Sequence, residues 1–241
     1  MARLRFSLLA LFSLCLTLFP SGAFSQATFT ITNSCPYTVW PGLLPNSGSP
    51  GAPTTGFMLT PYSSASLSMP AAWSGNIWGR TQCSNTYGPL TCVTGNCGSG
   101  TECNGAGGST PATLAEIQLN GYAGLDYYDV SLVNGFNVPM SVAPQGGSGT
   151  CSAITCAADI NAACPAGLQD VVNGVVVGCK SGCVAYGDPQ DCCTGPYLPP
   201  NCGPTGNSEF FKGECPQAIT YASDGGLITC ASGGYTITFC P

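Results

Sequence analysis

The chain has 241 residues, of which only 7% are charged, and it contains 17 cysteines and no histidine. Its formal net charge is −6, so it lacks the excess of cations that binding to nucleic acids or to anionic membranes requires. Without histidine, Ser-His and Cys-His nucleophiles and histidine-ligated zinc sites are excluded. If the cysteines are paired in disulfides, no thiolate remains, and any acid–base chemistry falls to carboxylates.

Residues 1–25 have the pattern of a secretory signal peptide. Arg3 and Arg5 precede an apolar run over residues 6–19, and the small residues that follow predict cleavage after Ser25. A signal anchor is the alternative, although the run is short for a membrane span. Cleavage leaves residues 26–241, with 16 cysteines, three cations, 11 acids and a net charge of −8. We therefore expect a secreted, extracellular protein with no membrane span.

Short strands are predicted at both ends of the mature chain, because apolar and polar residues alternate there. Phe29 and Ile31 share one face of the first strand, with threonines on the other. Near the C-terminus, Tyr235, Ile237 and Phe239 alternate with threonines in the same way. Further strands are predicted over residues 65–69, 113–119, 127–133 and 136–142. Short strands between Gly- and Pro-rich turns favour a mainly β fold, a β-sandwich.

Two cysteine-rich stretches interrupt the strand pattern. Residues 81–110 hold four cysteines and many glycines, and residues 151–215 hold nine cysteines. The second stretch contains the only predicted helix, residues 156–164, with Thr155 as its cap and Pro165 at its end. We interpret the stretches as a small and a large disulfide-rich loop domain. They would pack on a sandwich built from residues 26–80, 111–150 and 216–241.

Sixteen cysteines in a secreted chain predict eight disulfides. Thiolate–metal binding is the alternative, but the oxidising export route and the irregular spacings argue against it. The spacing leaves the pairing open. Only the adjacent Cys192 and Cys193 are constrained, because a bond between neighbours is strained, and we expect them to join two different loops.

A family resemblance extends over the whole mature chain. The stretches that carry it are residues 28–40, 78–83, 92–98, 111–116, 135–140, 210–212 and 239–241, which read TFTITNSCPYTVW, WGRTQC, CVTGNCG, PATLAE, GFNVPM, FFK and FCP. With 16 cysteines in this order, the chain resembles the thaumatin-like family, the fifth class of plant pathogenesis-related proteins. The resemblance implies a flattened β-sandwich flanked by the two loop domains, with a cleft between the sandwich and the large loop domain.

The resemblance also implies a complete disulfide pattern, in which the first strand is bonded to the last. The implied pairs are Cys35–Cys240, Cys83–Cys92, Cys97–Cys103, Cys151–Cys230, Cys156–Cys215, Cys164–Cys179, Cys183–Cys192 and Cys193–Cys202.

Five cleft positions in the resembled family are usually one arginine, one glutamate and three aspartates. Glu116, Asp129 and Asp224 match the glutamate and two of the aspartates, whereas Asn76 replaces the arginine and Asn134 replaces the remaining aspartate. Strand alternation independently directs Glu116 and Asp129 away from their apolar neighbours.

Two residue assignments complete the predicted cleft. Asp126 lies three residues from Asp129 and would face the other side of a regular strand, so we leave it out of the cleft. Phe210 and Phe211 are candidate cleft aromatics, with packing in the core as the alternative.

These residues lead to the hypothesis of a secreted plant defence protein that binds β-1,3-glucan, or another cell-wall polysaccharide, without efficient catalysis. Amides and carboxylates suit hydrogen bonds to sugar hydroxyls. The alternative is a weak endo-β-1,3-glucanase, with Glu116 as the acid and Asp224 or Asp129 as the second carboxylate. A second alternative is an inhibitor of a foreign digestive enzyme. For the three acids themselves, the simplest interpretation is that they are ordinary solvated surface residues. We expect a monomer with no cofactor, no metal and no nucleic-acid partner.

Overall fold

The computed structural model describes residues 26–98 and 100–241, so the predicted signal peptide lies outside the described residues. The strands are β1 Ala27–Asn33, β2 Trp40–Pro45, β3 Ser63–Met69, β4 Ser74–Ser84, β5 Thr91–Thr94, β6 Leu114–Gln118, β7 Asp126–Ser131, β8 Met140–Pro144, β9 Ser148–Gly149, β10 Ile154–Cys156, β11 Gln169–Val172, β12 Val175–Cys179, β13 Ile228–Ala231 and β14 Gly234–Phe239. The α-helices are α1 Ile160–Ala163, α2 Gly182–Tyr186 and α3 Gly206–Glu214.

Two sheets form a sandwich, as predicted. One has five strands in the order β10-β8-β14-β1-β3. The other has seven strands, six of them in the order β2-β4-β6-β7-β13-β9 and the seventh, β5, paired with β4. A separate hairpin pairs β11 with β12. The first and last strands are parallel neighbours at the centre of the five-stranded sheet. The predicted alternation in β1 is confirmed, because Phe29 and Ile31 are fully buried whereas the intervening threonines are not.

The core lies between the sheets and is rich in aromatic side chains. Phe29 packs edge-on against Trp73 with ring centroids 5.6 Å apart, and Tyr235 meets Tyr128 at 5.1 Å. All four are fully buried. Burying one such side chain contributes about 1.5–3 kcal/mol, so this cluster holds the two sheets together.

Eight disulfides link the described residues, and they join the same cysteines as the resemblance implied. Cys192 and Cys193 bond to different loops, as expected from their adjacency. The bonds are Cys35–Cys240, Cys83–Cys92, Cys97–Cys103, Cys151–Cys230, Cys156–Cys215, Cys164–Cys179, Cys183–Cys192 and Cys193–Cys202.

Arg80 anchors the first cysteine-rich stretch to the seven-stranded sheet. Its side chain is fully buried and donates hydrogen bonds to the carbonyls of Gly100 at 3.1 Å and Thr101 at 2.6 Å. It also donates to the carbonyl of Trp40 at 3.0 Å. A buried guanidinium is tolerated only where its N–H groups are satisfied, so these bonds fix the loop on the sheet.

The strand predicted over residues 136–142 lies further along the chain, as β8. Phe136 makes only an isolated bridge, to Cys179. The side chain of Asn137 replaces a backbone hydrogen bond of regular strand pairing, because it accepts from the backbone N–H of Thr113 at 3.0 Å. Pro139 then has no N–H to donate, so regular pairing resumes only after it.

The helix predicted over residues 156–164 is wrong in its start and its cap. Thr155 and Cys156 belong to β10, which pairs with β8, and the helix begins at Ile160 with Asp159 as its cap. Sheet pairing overrides the local helix signal here. It is also not the only helix in this stretch, which contains α2 and the longer α3. None of the helices in the described ranges is long and apolar enough to cross a membrane.

Candidate functional site

Three adjacent strands of the seven-stranded sheet carry a row of polar side chains. Asn76 on β4 lies directly opposite Glu116 on β6, and Glu116 lies directly opposite Asp129 on β7. Their chain neighbours, such as Ala115 and Val130, are buried in the core. Because side chains alternate along a strand, the polar row faces the other side of the sheet. Opposed residues have Cβ atoms about 4.5–5.5 Å apart, so the two carboxylates are close neighbours.

The polar row forms the floor of two adjoining cavities, which together we call the cleft. The larger, of about 310 Å³, brings together Glu116, Asp129, Asn134 and Asp224. The smaller, of about 240 Å³, is lined by Asn76, Gln118 and Tyr127 among others. Glu116, Asp129 and Leu227 line both cavities. All five positions implied by the resemblance therefore lie in one continuous cleft.

Asp224 enters the cleft from the loop between α3 and β13 and is held by a lysine. Lys212 Nζ on α3 lies 2.8 Å from Asp224 Oδ2 and also donates to the carbonyl of Ala218 at 2.7 Å. The same carboxylate oxygen accepts from the backbone N–H of Thr220 at 2.9 Å and from its hydroxyl at 3.1 Å. The charge of Asp224 is thus compensated inside the protein, unlike those of the other two acids.

Glu116 and Asp129 form an uncompensated pair of carboxyl groups. Burial raises the pKa of Glu116. Burial, together with the negative charge of Glu116, raises the pKa of Asp129 to about 8. Asp129 is 3% exposed, and its Oδ1 has no hydrogen-bond partner among the described residues. Two neighbouring carboxylates avoid double ionisation, so near neutral pH the pair retains one proton.

The predicted aromatic residues do not line the cleft. Phe211 is fully buried in the core, and Phe210 packs against it with ring centroids 5.2 Å apart. Neither residue lines the two cavities. The aromatic side chain of the cleft is Tyr127. Tyr127 was not among the predicted cleft residues, although strand alternation could have identified it, because it lies two residues before Asp129 and shares its face.

Asp126 lies outside the cleft, as expected. Its Oδ2 accepts from the hydroxyl of Tyr235 at 2.8 Å, and its Oδ1 accepts from the backbone N–H of Asn120 at 2.8 Å. Within residues 26–98 and 100–241, no group of three or more histidine, cysteine, aspartate or glutamate side chains is arranged to hold a metal ion. What the cleft offers chemically is carboxylates, amides, hydroxyls and one aromatic ring.

Comparison with known proteins agrees with this architecture. A sequence model of the thaumatin family matches residues 33–241. Thaumatin-like protein 1 of Pyrus pyrifolia is 52% identical over 228 residues, covering 92% of this chain and 93% of its own. A Prunus avium protein named glucan endo-1,3-beta-glucosidase is 48% identical, covering 98% of this chain and 99% of its own. Pathogenesis-related thaumatin-like protein 3.5 of Cryptomeria japonica is 45% identical, covering 100% and 99%. With its fold, its disulfides and these relatives, the chain belongs to the thaumatin family.

Proposed function

We propose that this protein is a secreted plant defence protein that binds β-1,3-glucan in the cleft. The observation that carries the proposal is the polar row of Asn76, Glu116 and Asp129 on the floor of two adjoining cavities. Carboxylates and amides accept and donate hydrogen bonds to sugar hydroxyls. Tyr127 adds the apolar ring face on which a sugar ring can stack.

The shape of the cleft supports a linear ligand. The cavities share Glu116, Asp129 and Leu227, so a chain of sugars can continue from one into the other. Two relatives carry names that agree with this role, since one is called pathogenesis-related and another glucan endo-1,3-beta-glucosidase. The eight disulfides fit an oxidising, extracellular setting, in line with the predicted signal peptide.

Binding without efficient turnover fits the positions of the carboxyl groups. Glycoside hydrolysis needs two carboxyl groups flanking the scissile bond. Glu116 and Asp129 instead lie side by side on neighbouring strands. Asp224 faces them across the larger cavity, but one of its oxygens is occupied by Lys212 and Thr220. We therefore favour recognition over catalysis.

Retention on insoluble β-1,3-glucan tests the proposal. We expect a Glu116→Gln, Asp224→Asn double variant to be retained at least about tenfold less than the wild type, because two charge-assisted hydrogen bonds are weakened. Glu214→Gln is the matched control, because Glu214 is exposed at the end of α3 and does not line the cleft. Equal retention of the double variant and the wild type would refute the cleft assignment.

A weak endo-β-1,3-glucanase is the second candidate, favoured by the proton that the Glu116–Asp129 pair retains. A protonated carboxyl group is what the acid of such an enzyme requires. Release of reducing ends from laminarin by pure recombinant protein would support this activity. Its loss in Glu116→Gln, with activity preserved in Glu214→Gln, would assign it to the cleft.

A further inference from the structure

The cleft contains acids but no free cation. Neither cavity is lined by a lysine or an arginine. The described ranges contain three cationic side chains, and each is engaged within the protein. Arg80 is fully buried among backbone carbonyls, Lys180 lies 3.2 Å from Asp170, and Lys212 lies 2.8 Å from Asp224. With 11 acids on the same chain, the surface repels anions and attracts cations.

One buried carboxyl oxygen of the cleft lacks a hydrogen-bond partner. Asp129 lines both cavities and is 3% exposed, yet its Oδ1 has no hydrogen-bond partner among the described residues. A buried polar atom without a partner is costly, so a donor supplied by a ligand relieves that cost. The best donor for a pair of neighbouring carboxyl groups is a positively charged one.

The residue opposite Glu116 on β4 determines whether a ligand cation can bind beside the Glu116 carboxylate. Asn76 lies directly opposite Glu116 on β4 and is uncharged. An arginine at this position would place a guanidinium beside the carboxylate and occupy the place of a ligand ammonium. With asparagine there, no cationic side chain lines the cleft beside Glu116.

We propose that the Glu116–Asp129 pair binds the ammonium group of an amino sugar, so that the cleft prefers β-linked glucosamine oligomers with free amino groups over their N-acetylated forms. This inference rests on the proposed glycan-binding role of the same cleft and specifies its substrate class. The ammonium interacts with the carboxyl pair, while Tyr127 and Gln118 in the smaller cavity contact the ring and hydroxyls of a neighbouring sugar. Asp224, already neutralised by Lys212, adds little to the attraction.

Calorimetric titration with three hexasaccharides tests the proposal: fully deacetylated β-1,4-glucosamine hexamer, its N-acetylated counterpart and laminarihexaose. We expect the wild type to bind the amino hexamer at least about tenfold more tightly than the acetylated one, as charge-assisted hydrogen bonds outweigh neutral ones. The preference should weaken at high salt. Glu116→Gln should lower it to near unity, whereas Glu214→Gln, which removes the same charge outside the cleft, should leave it unchanged.

Asn76→Arg provides the second test, because it adds a competing cation beside Glu116 without removing an acid. We expect it also to reduce the ratio of the two affinities to about one, with an unchanged circular dichroism spectrum showing that the fold is intact. Equal binding of the two chito-oligomers by the wild type, or an unchanged ratio in Asn76→Arg, would overturn the proposal. Competition by spermine as effective as the amino hexamer would overturn the sugar part of it.

The laminarihexaose titration separates the two proposals. If laminarihexaose does not bind while the amino hexamer binds through Glu116, the β-1,3-glucan role fails and the amino-sugar site stands. If laminarihexaose binds and the two chito-oligomers bind equally, the amino-sugar site fails and the glucan role stands.

Discussion

Asp129 is the cleft residue whose charge responds most directly to pH. It is almost completely buried, lies opposite Glu116, and has a pKa raised to about 8. In an unfolded chain an aspartate titrates near pH 4, so the folded state holds this proton more tightly. Stability from this group is therefore present below pH 4 and is lost as the pH rises toward 8. Glu116 contributes in the same direction, since burial raises its pKa too.

We predict that Asp129→Asn flattens the pH dependence of stability. The wild-type Tm should fall between pH 5 and pH 8. For a chain of this size, a loss of about 1 kcal/mol in the free energy of unfolding lowers the Tm by about 2–4 °C. The variant carries no titrating group at this position, so its Tm should fall less over the same range. Thermal denaturation followed by circular dichroism measures both curves. Glu214→Gln should keep the wild-type slope, and parallel curves for Asp129→Asn and the wild type would contradict the prediction.

Tyr127 supplies the ring of the cleft, and its contribution can be separated from that of its hydroxyl. We predict that Tyr127→Ala weakens binding to laminarihexaose by about three- to tenfold, because an aromatic contact of about 0.5–1.5 kcal/mol is lost. Tyr127→Phe keeps the ring and should bind within about twofold of the wild type. Calorimetry on the three proteins gives the comparison. Equal loss in the two variants would assign the effect to the hydroxyl instead.

The elements were predictable where local pattern and sheet pairing agree. Alternation in β1 and β14 places apolar side chains inside, and the same alternation aligns Glu116 and Asp129 on the cleft face. α3 was not predicted, because its sequence is mostly polar and contains two glycines. Its contact between Lys212 and Asp224 joins a helix to a loop 12 residues away, and no periodicity within either segment encodes it.

α3 depends on its cap more than on its composition. The Thr205 side chain accepts a hydrogen bond from the backbone N–H of Ser208, and the Ser208 side chain accepts one from the backbone N–H of Thr205, which together form a capping box. The Thr205 hydroxyl also donates to Asp191 Oδ1 at 2.5 Å. We predict that Thr205→Ala lowers the free energy of unfolding by about 1–2 kcal/mol. Thr205→Ser, which retains the hydroxyl, should lose less than half of that. Guanidinium denaturation measures the difference, and a Thr205→Ala variant as stable as the wild type would rule out this role.

At the scale of the whole molecule, three of the eight disulfides join segments that are far apart in the chain, and the other five close short loops. The alternating strands predicted a sandwich, but spacing alone left the cysteine pairing open, because pairing depends on which loops meet in three dimensions. Cys35 and Cys240 follow β1 and β14, the parallel central strands, so their bond fixes both chain ends at the middle of one sheet. Cys83–Cys92, by contrast, closes a short loop between β4 and β5.

This difference predicts an order of stabilities among variants that lack one disulfide. In the chain-entropy model, closing the loop of 205 residues between Cys35 and Cys240 stabilises the fold by about 5 kcal/mol, against about 2.6 kcal/mol for the nine-residue separation of Cys83–Cys92. The Cys35→Ala, Cys240→Ala variant should therefore melt at a lower temperature than the Cys83→Ala, Cys92→Ala variant. Scanning calorimetry of the two variants beside the wild type measures this order. The reverse order would show that local packing around the short bond, rather than restriction of the unfolded chain, dominates the stability of this fold.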